Sequence, residues 1–283
     1  MTLIQFKIFK TIVETGSFTK TGKILGLTQS GVSHSIASLE KELGITVFQR
    51  NKSGVTLTTE GQQLLDHIDT IISHTRLIKE KASSLSNLKT GNVRIGTFPA
   101  FAAGILPPII SHFRKQHPGI SIELLEGRCN KIYNWINSYE IDVGFFDLGY
   151  PEIGPNELES IPLLRDNVIV IFPEDHHLQN REEIDIKEIL AEKLILPSGG
   201  CSYLVKNIIA NKNVEIVFEI EDHNIIYSMV EQGLALAIIP ELTFINKSFK
   251  VGKAILKPAK FRDIGMAVKY FNYSSNATLT FIN

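Results

Sequence analysis

At 283 residues the chain is long enough for two domains of ordinary size. Its 43% hydrophobic and 21% charged residues exclude disordered, collagenous and disulfide-stapled classes, and a formal net charge of -1 gives no overall sign of a polyanionic partner. The sum conceals an asymmetry: residues 1–90 hold 11 Lys+Arg against 7 Asp+Glu, and the remainder holds 18 against 23. The N-terminal excess is small, but its sign suits a module that approaches phosphates. Cys129 and Cys201 stand 72 positions apart and form no metal-ligand spacing. The opening MTLIQFKIFK has charges among its apolar residues, unlike a signal peptide, and no apolar run approaches the roughly 18–20 residues that cross a bilayer. A cytoplasmic protein is expected, with no metal, no cofactor and no membrane association.

Leu3, Phe6, Phe9, Ile12 and Val13 recur at helical spacing and predict an amphipathic helix ending near Gly16. Ser17 is placed to cap a second short helix, Phe18 to Leu25, which Gly26 stops. Thr28 is the next cap, and a third helix runs to Gly44 with Val32, Ile36, Leu39 and Leu43 on one stripe. Its other faces carry Ser30, Ser33, His34, Ala37, Ser38 and Lys41, with Gln29 at the start. An ordinary solvated face would carry Glu/Lys pairs instead. Small hydroxyl residues allow close approach to a DNA major groove, and Gln can donate and accept at adenine. Three helices in this arrangement match a helix-turn-helix, while a three-helix bundle without a nucleic-acid partner fits the same pattern. Val47–Arg50 and Gly54–Leu57 then predict a hairpin whose tip carries Arg50 and Lys52, as a wing tracking phosphates requires.

The stretch from Phe6 to Gly61 resembles the N-terminal domain of LysR-type transcriptional regulators. The shared frame includes Gly16-Ser17-Phe18, Thr28-Gln29, Val32-Ser33, Ile36, Leu39-Glu40, Leu43-Gly44, Phe48 before Arg50, and Leu57-Thr58 before Gly61. Ser30 departs from the usual Pro, and Gly22 and Gly31 from common Ala. Glycine inside a helix costs up to about 1 kcal/mol against Ala, so locally softer helices are expected. The resemblance implies a winged helix-turn-helix at 1–58 that binds double-stranded DNA through Thr28, Gln29, Ser30, Ser33, His34, Ser38, Arg50 and Lys52.

Thr59 is placed to cap a helix reaching about residue 88, in which Leu64, Ile68, Ile71, Thr75, Ile78, Ala82 and Leu85 alternate spacings of four and three. Such a seam buries itself against another helix. The polar stretch 83–90 favours a free-standing linker at 59–90, and it is similar to the LysR dimerisation helix. A homodimer or homotetramer is implied, with an imperfectly palindromic operator.

After Gly91 strands and helices alternate. NVRIGTF, ISIELLEG, IDVGFFD, DNVIVIFP, LILPS, VEIVFEI and LALAIIP predict strands, with helices between them over ILPPIISHFRKQHPG, Ile132–Tyr139, from about Tyr203, and Ile225–Gly233. Two such sets predict two α/β lobes with a ligand cleft at the strand carboxyl ends. Residues 91–283 resemble the LysR effector domain, which shares the fold of periplasmic solute-binding proteins. The landmarks are IGTFPAFAAGILPPIISHF, Glu126-Gly127, Ile141-Asp142-Val143, His177-Leu178 and VEQGLALAIIP. The resemblance divides this region into lobe I (about 91–160 and 266–283) and lobe II (about 161–265), with a final helix that stops early.

Carried over residue by residue, the family's effector site falls on Thr97, Phe98, Pro99, Ala100, Phe101, Arg128, Cys129, Asn130, Asp147, Gly200, Cys201, Ser202 and Tyr203. Ala100 lacks the hydroxyl common in the family, which removes one hydrogen bond to a carboxylate effector. Phe98, Phe101 and Tyr203 fit an apolar or aromatic ligand, or equally core packing; a small organic acid or an aromatic compound is the expected class of effector, and its identity does not follow from the sequence. Cys201 is weighed as a redox thiol and Asp175-His176-His177 as a metal site, and both are set aside. Ser198-Gly199-Gly200 lacks a P-loop lysine, and neither G-x-S-x-G nor H-E-x-x-H occurs, so no enzyme is expected. The expected function is a DNA-binding regulator, activator or repressor undecided; the alternative is a solute-binding protein with no role on DNA.

Overall fold

The computed structural model describes residues 1–51, 54–85, 90–151 and 158–283. Lys52 lies outside them, and so do the side chains of Arg50 and Leu85. The head is built from α1 (Leu3–Thr15), α2 (Phe18–Leu25) and α3 (Gln29–Leu43), followed by the hairpin β1 (Phe48–Asn51) and β2 (Gly54–Leu57). Thr2, Ser17 and Thr28 each cap a helix start with a side-chain oxygen, and Gly16, Gly26 and Gly44 end the helices in left-handed conformation at φ 62, 68 and 72. Phe9, Ile12, Val32, Ile36, Leu39 and Val47 close the core. The hairpin is tied down from two sides. The Glu40 carboxylate accepts the amides of Val47 at 2.8 Å and Phe48 at 3.3 Å, and Val55 donates to the Gly16 carbonyl at 3.1 Å.

The sequence predicts softness at Gly22, but the structure gives that glycine a reason. A Cβ there would stand 2.7 Å from the Leu27 carbonyl oxygen, inside the turn that leads into α3. The turn is drawn tight by the Leu27 amide bonding to the Gly22 carbonyl at 2.8 Å.

The helix α4 (Thr59–Leu85) starts one residue past its cap: the Thr58 hydroxyl, not that of Thr59, accepts the Gly61 amide at 3.0 Å. At 1.5 Å per residue its 27 residues span about 40 Å. It is not free-standing. Ile68 is 4% exposed in the head core, with Leu64, Leu65 and Ile72 packed beside it. Further along, Arg76 Nη2 donates to Asp142 Oδ1 at 2.8 Å and to the Tyr139 carbonyl at 3.0 Å, while His74 stacks edge-on against Tyr139. The predicted seam is therefore divided. Leu64 and Ile68 belong to the head, Thr75 is half-buried, and Ile71, Ile78 and Ala82 face outward.

The remaining chain runs β3 (Gly91–Thr97), α5 (Pro99–Gly104), α6 (Leu106–Gln116), β4 (Ile120–Glu126), α7 (Cys129–Asn137), β5 (Val143–Asp147) and β6 (Glu159–Pro173). It continues through β7 (Glu183–Asp185), α8 (Ile186–Ile189), β8 (Lys193–Pro197), α9 (Ser202–Ile209), β9 (Glu215–Ile220), α10 (His223–Glu231) and β10 (Leu236–Pro240), and closes with β11 (Val251–Lys257), β12 (Phe261–Val268) and α11 (Asn276–Ile282). The strand order is β4-β3-β5-β12-β6-β10-β8-β9, with β11 pairing β6 and β7. Parallel pairing holds where helical crossovers predict it, at β3 with β4 and β5 and at β8 with β9 and β10. The strand β6 pairs antiparallel with β10, β11 and β12, β12 pairs antiparallel with β5, and β11 pairs parallel with β7.

Among the described residues one strand, β6, serves both lobes. The first half of β6 pairs with β12 in lobe I, up to Asn167, and its second half pairs with β10 and β11 in lobe II. The chain thus crosses between lobes near Asp166 and Arg262, a few residues inside the limits drawn from sequence. Lobe I centres on Val93, Ile95, Phe101, Ile132 and Val143. Lobe II buries Val168, Val170 and Ile238 on one sheet face and Ile169, Ile171 and Tyr227 on the other. The short α11 is anchored by Phe281, edge-on to Phe113 at 5.2 Å between ring centres.

Helix propensity alone favours Gly22→Ala by up to about 1 kcal/mol. The contact with Leu27 reverses that sign, so thermal denaturation of the variant is expected to show a lower melting temperature for the head, and a rise would contradict the tight-turn account.

Candidate functional site

Four loops at strand carboxyl ends face one another between the lobes: those after β3 and β4 from lobe I, and those after β8 and β9 from lobe II. They enclose a cavity of about 450 Å³, within the usual range for small-molecule sites. Phe98, Pro99, Ala100, Arg128, Cys129, Gly200 and Cys201 line it. Thr97 and Phe101 do not, because both turn into the lobe I core, where Phe101 stacks on Phe145 at 4.8 Å. Asn130 is exposed and its Oδ1 accepts the Lys131 amide, so it stands outside the lining as well. Asp147, Ser202 and Tyr203 are not part of the lining either.

Contacts between the lobes lie beside this cavity, among them the edge-on packing of Tyr150 against Tyr203 at 5.3 Å between ring centres. The Tyr203 hydroxyl on α9 donates to Asp147 Oδ2 at the end of β5. Burial, then the adjacent carboxylate, push the Tyr203 phenol up, so it remains protonated and a donor. At the mouth, exposed Arg128 pairs with exposed Glu221. The cap residues of α7 and α9, Arg128 and Cys201, make no side-chain cap bond, and first-turn amides bond locally instead, Lys131 to Asn130 Oδ1 and Ser202 to the Gly199 carbonyl.

Sequence reasoning missed the lining that follows β9 and β10, including Glu221, His223, Leu242 and Lys247, and it missed Arg262 on β12. The signal for the first group was present, since VFEI and LAIIP end in loops on the same side as LILPS. Arg262 has no comparable signal, because a lone Arg in AKFRDIG reads as solvent-facing.

Cys201 is 4% exposed, and burial raises its thiol to about 11, with Arg262 pulling the other way. Reactive thiols show the opposite pattern. Its Sγ stands 3.4 Å from His223 Nε2. In lobe II, His176 and His177 each present Nε2 at 3.9 Å from Glu192 Oε1. Leu178 donates its amide to His176 Nδ1 at 3.4 Å, which sets the ring proton on Nε2, the nitrogen a metal would need.

On the head, Gln29, Ser30, His34 and Ser38 are exposed along one side of α3, Ser33 is half-buried, and the Thr28 hydroxyl is engaged as the cap, 3.1 Å from the Gly31 amide. Residues 3–62 match the family model described as bacterial regulatory helix-turn-helix protein, lysR family, and residues 86–283 match the LysR substrate binding domain. The chain belongs to the LysR family of transcriptional regulators. It is 33% identical over 287 residues to the HTH-type transcriptional regulator YvbU of Bacillus subtilis, with 100% of this chain and 97% of that protein covered. Its fold is similar to a full-length OxyR variant from Pseudomonas aeruginosa (TM-score 0.75, 19% identity, 99% and 96% of the two chains covered). It is also similar to full-length CbnR complexed with target DNA (TM-score 0.72, 16% identity, 100% and 98% covered). This LysR-type regulator therefore couples a DNA-binding head to an effector-binding domain, and the reading as a solute-binding protein without a role on DNA falls with the match of residues 3–62. Among the described residues no helix is long and apolar enough to cross a membrane.

Burial lowers the pKa of His223 below its ordinary 6.5; Arg262 and Lys247 add to the shift and Asp222 opposes it. The unfolded chain then takes up this proton at a higher pH than the folded chain, so the stabilisation is complete above about 6.5 and is lost as pH falls below it. Urea melts at stepped pH are expected to show wild-type stability falling more steeply below about 6.5 than that of His223→Gln. Parallel curves would remove His223 from the pH dependence.

Proposed function

We propose that this regulator grips an imperfectly palindromic promoter site as a dimer or tetramer in the cytoplasm, and changes its grip when a small molecule occupies the interlobe cavity. No catalytic step is assigned to it. The exposed polar side of α3, from Gln29 through His34 to Ser38, carries the reading on DNA, because polar side chains on an exposed helix can meet base edges in a major groove. Arg50 and Lys52 are assigned to phosphates on the sequence reading, with 1–58 as the head, 59–90 as the linker and 91–283 as the effector domain.

The oligomer rests on α4. Ile78 is 68% exposed and Ile71 39%, seven residues apart on one side of the helix with Ala82 beyond. Apolar residues in that register bury against a second helix, and paired heads would then meet two half-sites.

A mobility-shift assay with DNA upstream of the protein's own gene is expected to show specific binding that weakens steeply as salt rises. Arg50→Ala is expected to weaken every DNA sequence alike and Gln29→Ala to change preference at one base position. Uniform loss from Gln29→Ala would contradict its role. Sedimentation of Ile78→Asp is expected to show monomers, and an unchanged oligomer would contradict the α4 seam.

A further inference from the structure

Asp147 ends β5 and is 1% exposed. Its Oδ1 accepts the Gly149 amide at 2.9 Å, and its Oδ2 accepts the Tyr203 hydroxyl from the first turn of α9. Gly149 belongs to lobe I and Tyr203 to lobe II, so the second bond alone crosses between the lobes. Tyr150, in the same turn as Gly149, packs edge-on against the Tyr203 ring at 5.3 Å between centres. One lobe II side chain is thus held by its hydroxyl and by its ring. Both bonded partners of the Asp147 carboxylate are neutral groups. The Arg262 guanidinium, close enough to act on Tyr203 electrostatically, bonds to Asp166 instead. A buried carboxylate is costly unless donors surround it, and a hydrogen bond to a charged group is roughly twice as strong as one between neutral groups. By contrast, the Arg128–Glu221 pair joins side chains 56% and 64% exposed, where water screens it.

We propose that the Tyr203–Asp147 bond is a latch that holds the two lobes closed on the interlobe cavity, and that the buried carboxylate makes the latch two-state. With the bond made, both carboxylate oxygens are satisfied without water. With it broken, Asp147 keeps one donor, and the lobes must part far enough for water to reach the second oxygen. Arrangements between these two leave that oxygen dry and unpaired, so they are disfavoured. Cys129 and Cys201 report the difference. They begin α7 in lobe I and precede α9 in lobe II, both line the cavity, and they are 6% and 4% exposed in the closed arrangement. An effector that favours the parted arrangement must break this bond, and one that favours the closed arrangement keeps it. The latch therefore sets the balance of arrangements on which any effector acts. That bearing on regulation rests on the reading of the cavity as the effector site, whereas the latch itself does not.

Alkylation of the two native thiols by N-ethylmaleimide in the full-length protein, followed by mass spectrometry, reads the parting of the lobes. The wild type is expected to react at Cys129 and Cys201 far more slowly than the urea-unfolded chain. Tyr203→Phe keeps the ring beside Tyr150 and removes the hydroxyl, and both thiols are expected to react at least about tenfold faster. Asp147→Asn removes the buried charge and with it the demand for water. The double variant Tyr203→Phe/Asp147→Asn is therefore expected to react more slowly than Tyr203→Phe, falling back toward the wild-type rate. A tyrosine that served only to fill the interface would leave the double variant at least as open as the single one. Circular dichroism checks that each variant is folded. A wild-type rate equal to that of the unfolded chain, an unchanged rate in Tyr203→Phe, or a double variant as fast as Tyr203→Phe overturns the latch. Each of those results leaves the effector reading of the cavity standing.

Discussion

The effector domain turns on one buried pair, Asp166 with Arg262. Asp166 lies on β6, the strand shared by both lobes, and Arg262 faces it from the start of β12; each has a second attachment, Asp166 to the Leu242 amide and Arg262 to the face of Phe98. Burial raises the Asp166 carboxyl above its ordinary value, with Arg262 pulling it back, so desolvation outweighs attraction and the pair adds little net stability. Its consequence is positional. Removing either charge strands the other in a dry interior, which fixes where the strands cross and where the cavity floor lies. The Tyr203–Asp147 bond and the Arg128–Glu221 pair then set how the two walls face each other across that floor.

The head obeys a different constraint, the satisfaction of backbone groups at short helix ends. Three side-chain caps and three left-handed glycines delimit α1, α2 and α3, which turns the polar side of α3 outward. Between head and effector domain, α4 is held at both ends of its path. Ile68 fastens it to the head, and Arg76 fastens it to Asp142, which also accepts the Arg94 amide at 2.8 Å. A change in lobe I therefore has a direct contact through which to reach the helix that carries the head.

Much of this was legible in the sequence because local chemistry decides it. Gly16, Gly26 and Gly44 mark helix ends through a conformation that residues with a Cβ resist, and runs such as NVRIGTF and LALAIIP mark buried strands through hydrophobic content. What escaped depends on distant contacts. An alternating 4-3 pattern cannot say whether Ile68 meets a partner helix or its own head. Phe101 reads as a ligand-facing aromatic beside Phe98, but the first turn of α5 directs it into the core. The strand β11 was missed between charged neighbours, and Arg262 was passed over because only Asp166, ninety-six positions earlier, makes its burial tolerable.

The most direct measurement is the calorimetric unfolding of Asp166→Asn, which leaves the Arg262 charge buried without its counter-ion. The variant is expected to lose about 3–5 kcal/mol, with both lobes still unfolding in one transition because β6 belongs to both. A loss below about 1 kcal/mol, the scale of an ordinary surface pair, or a second transition in which one lobe keeps wild-type stability, would contradict the account.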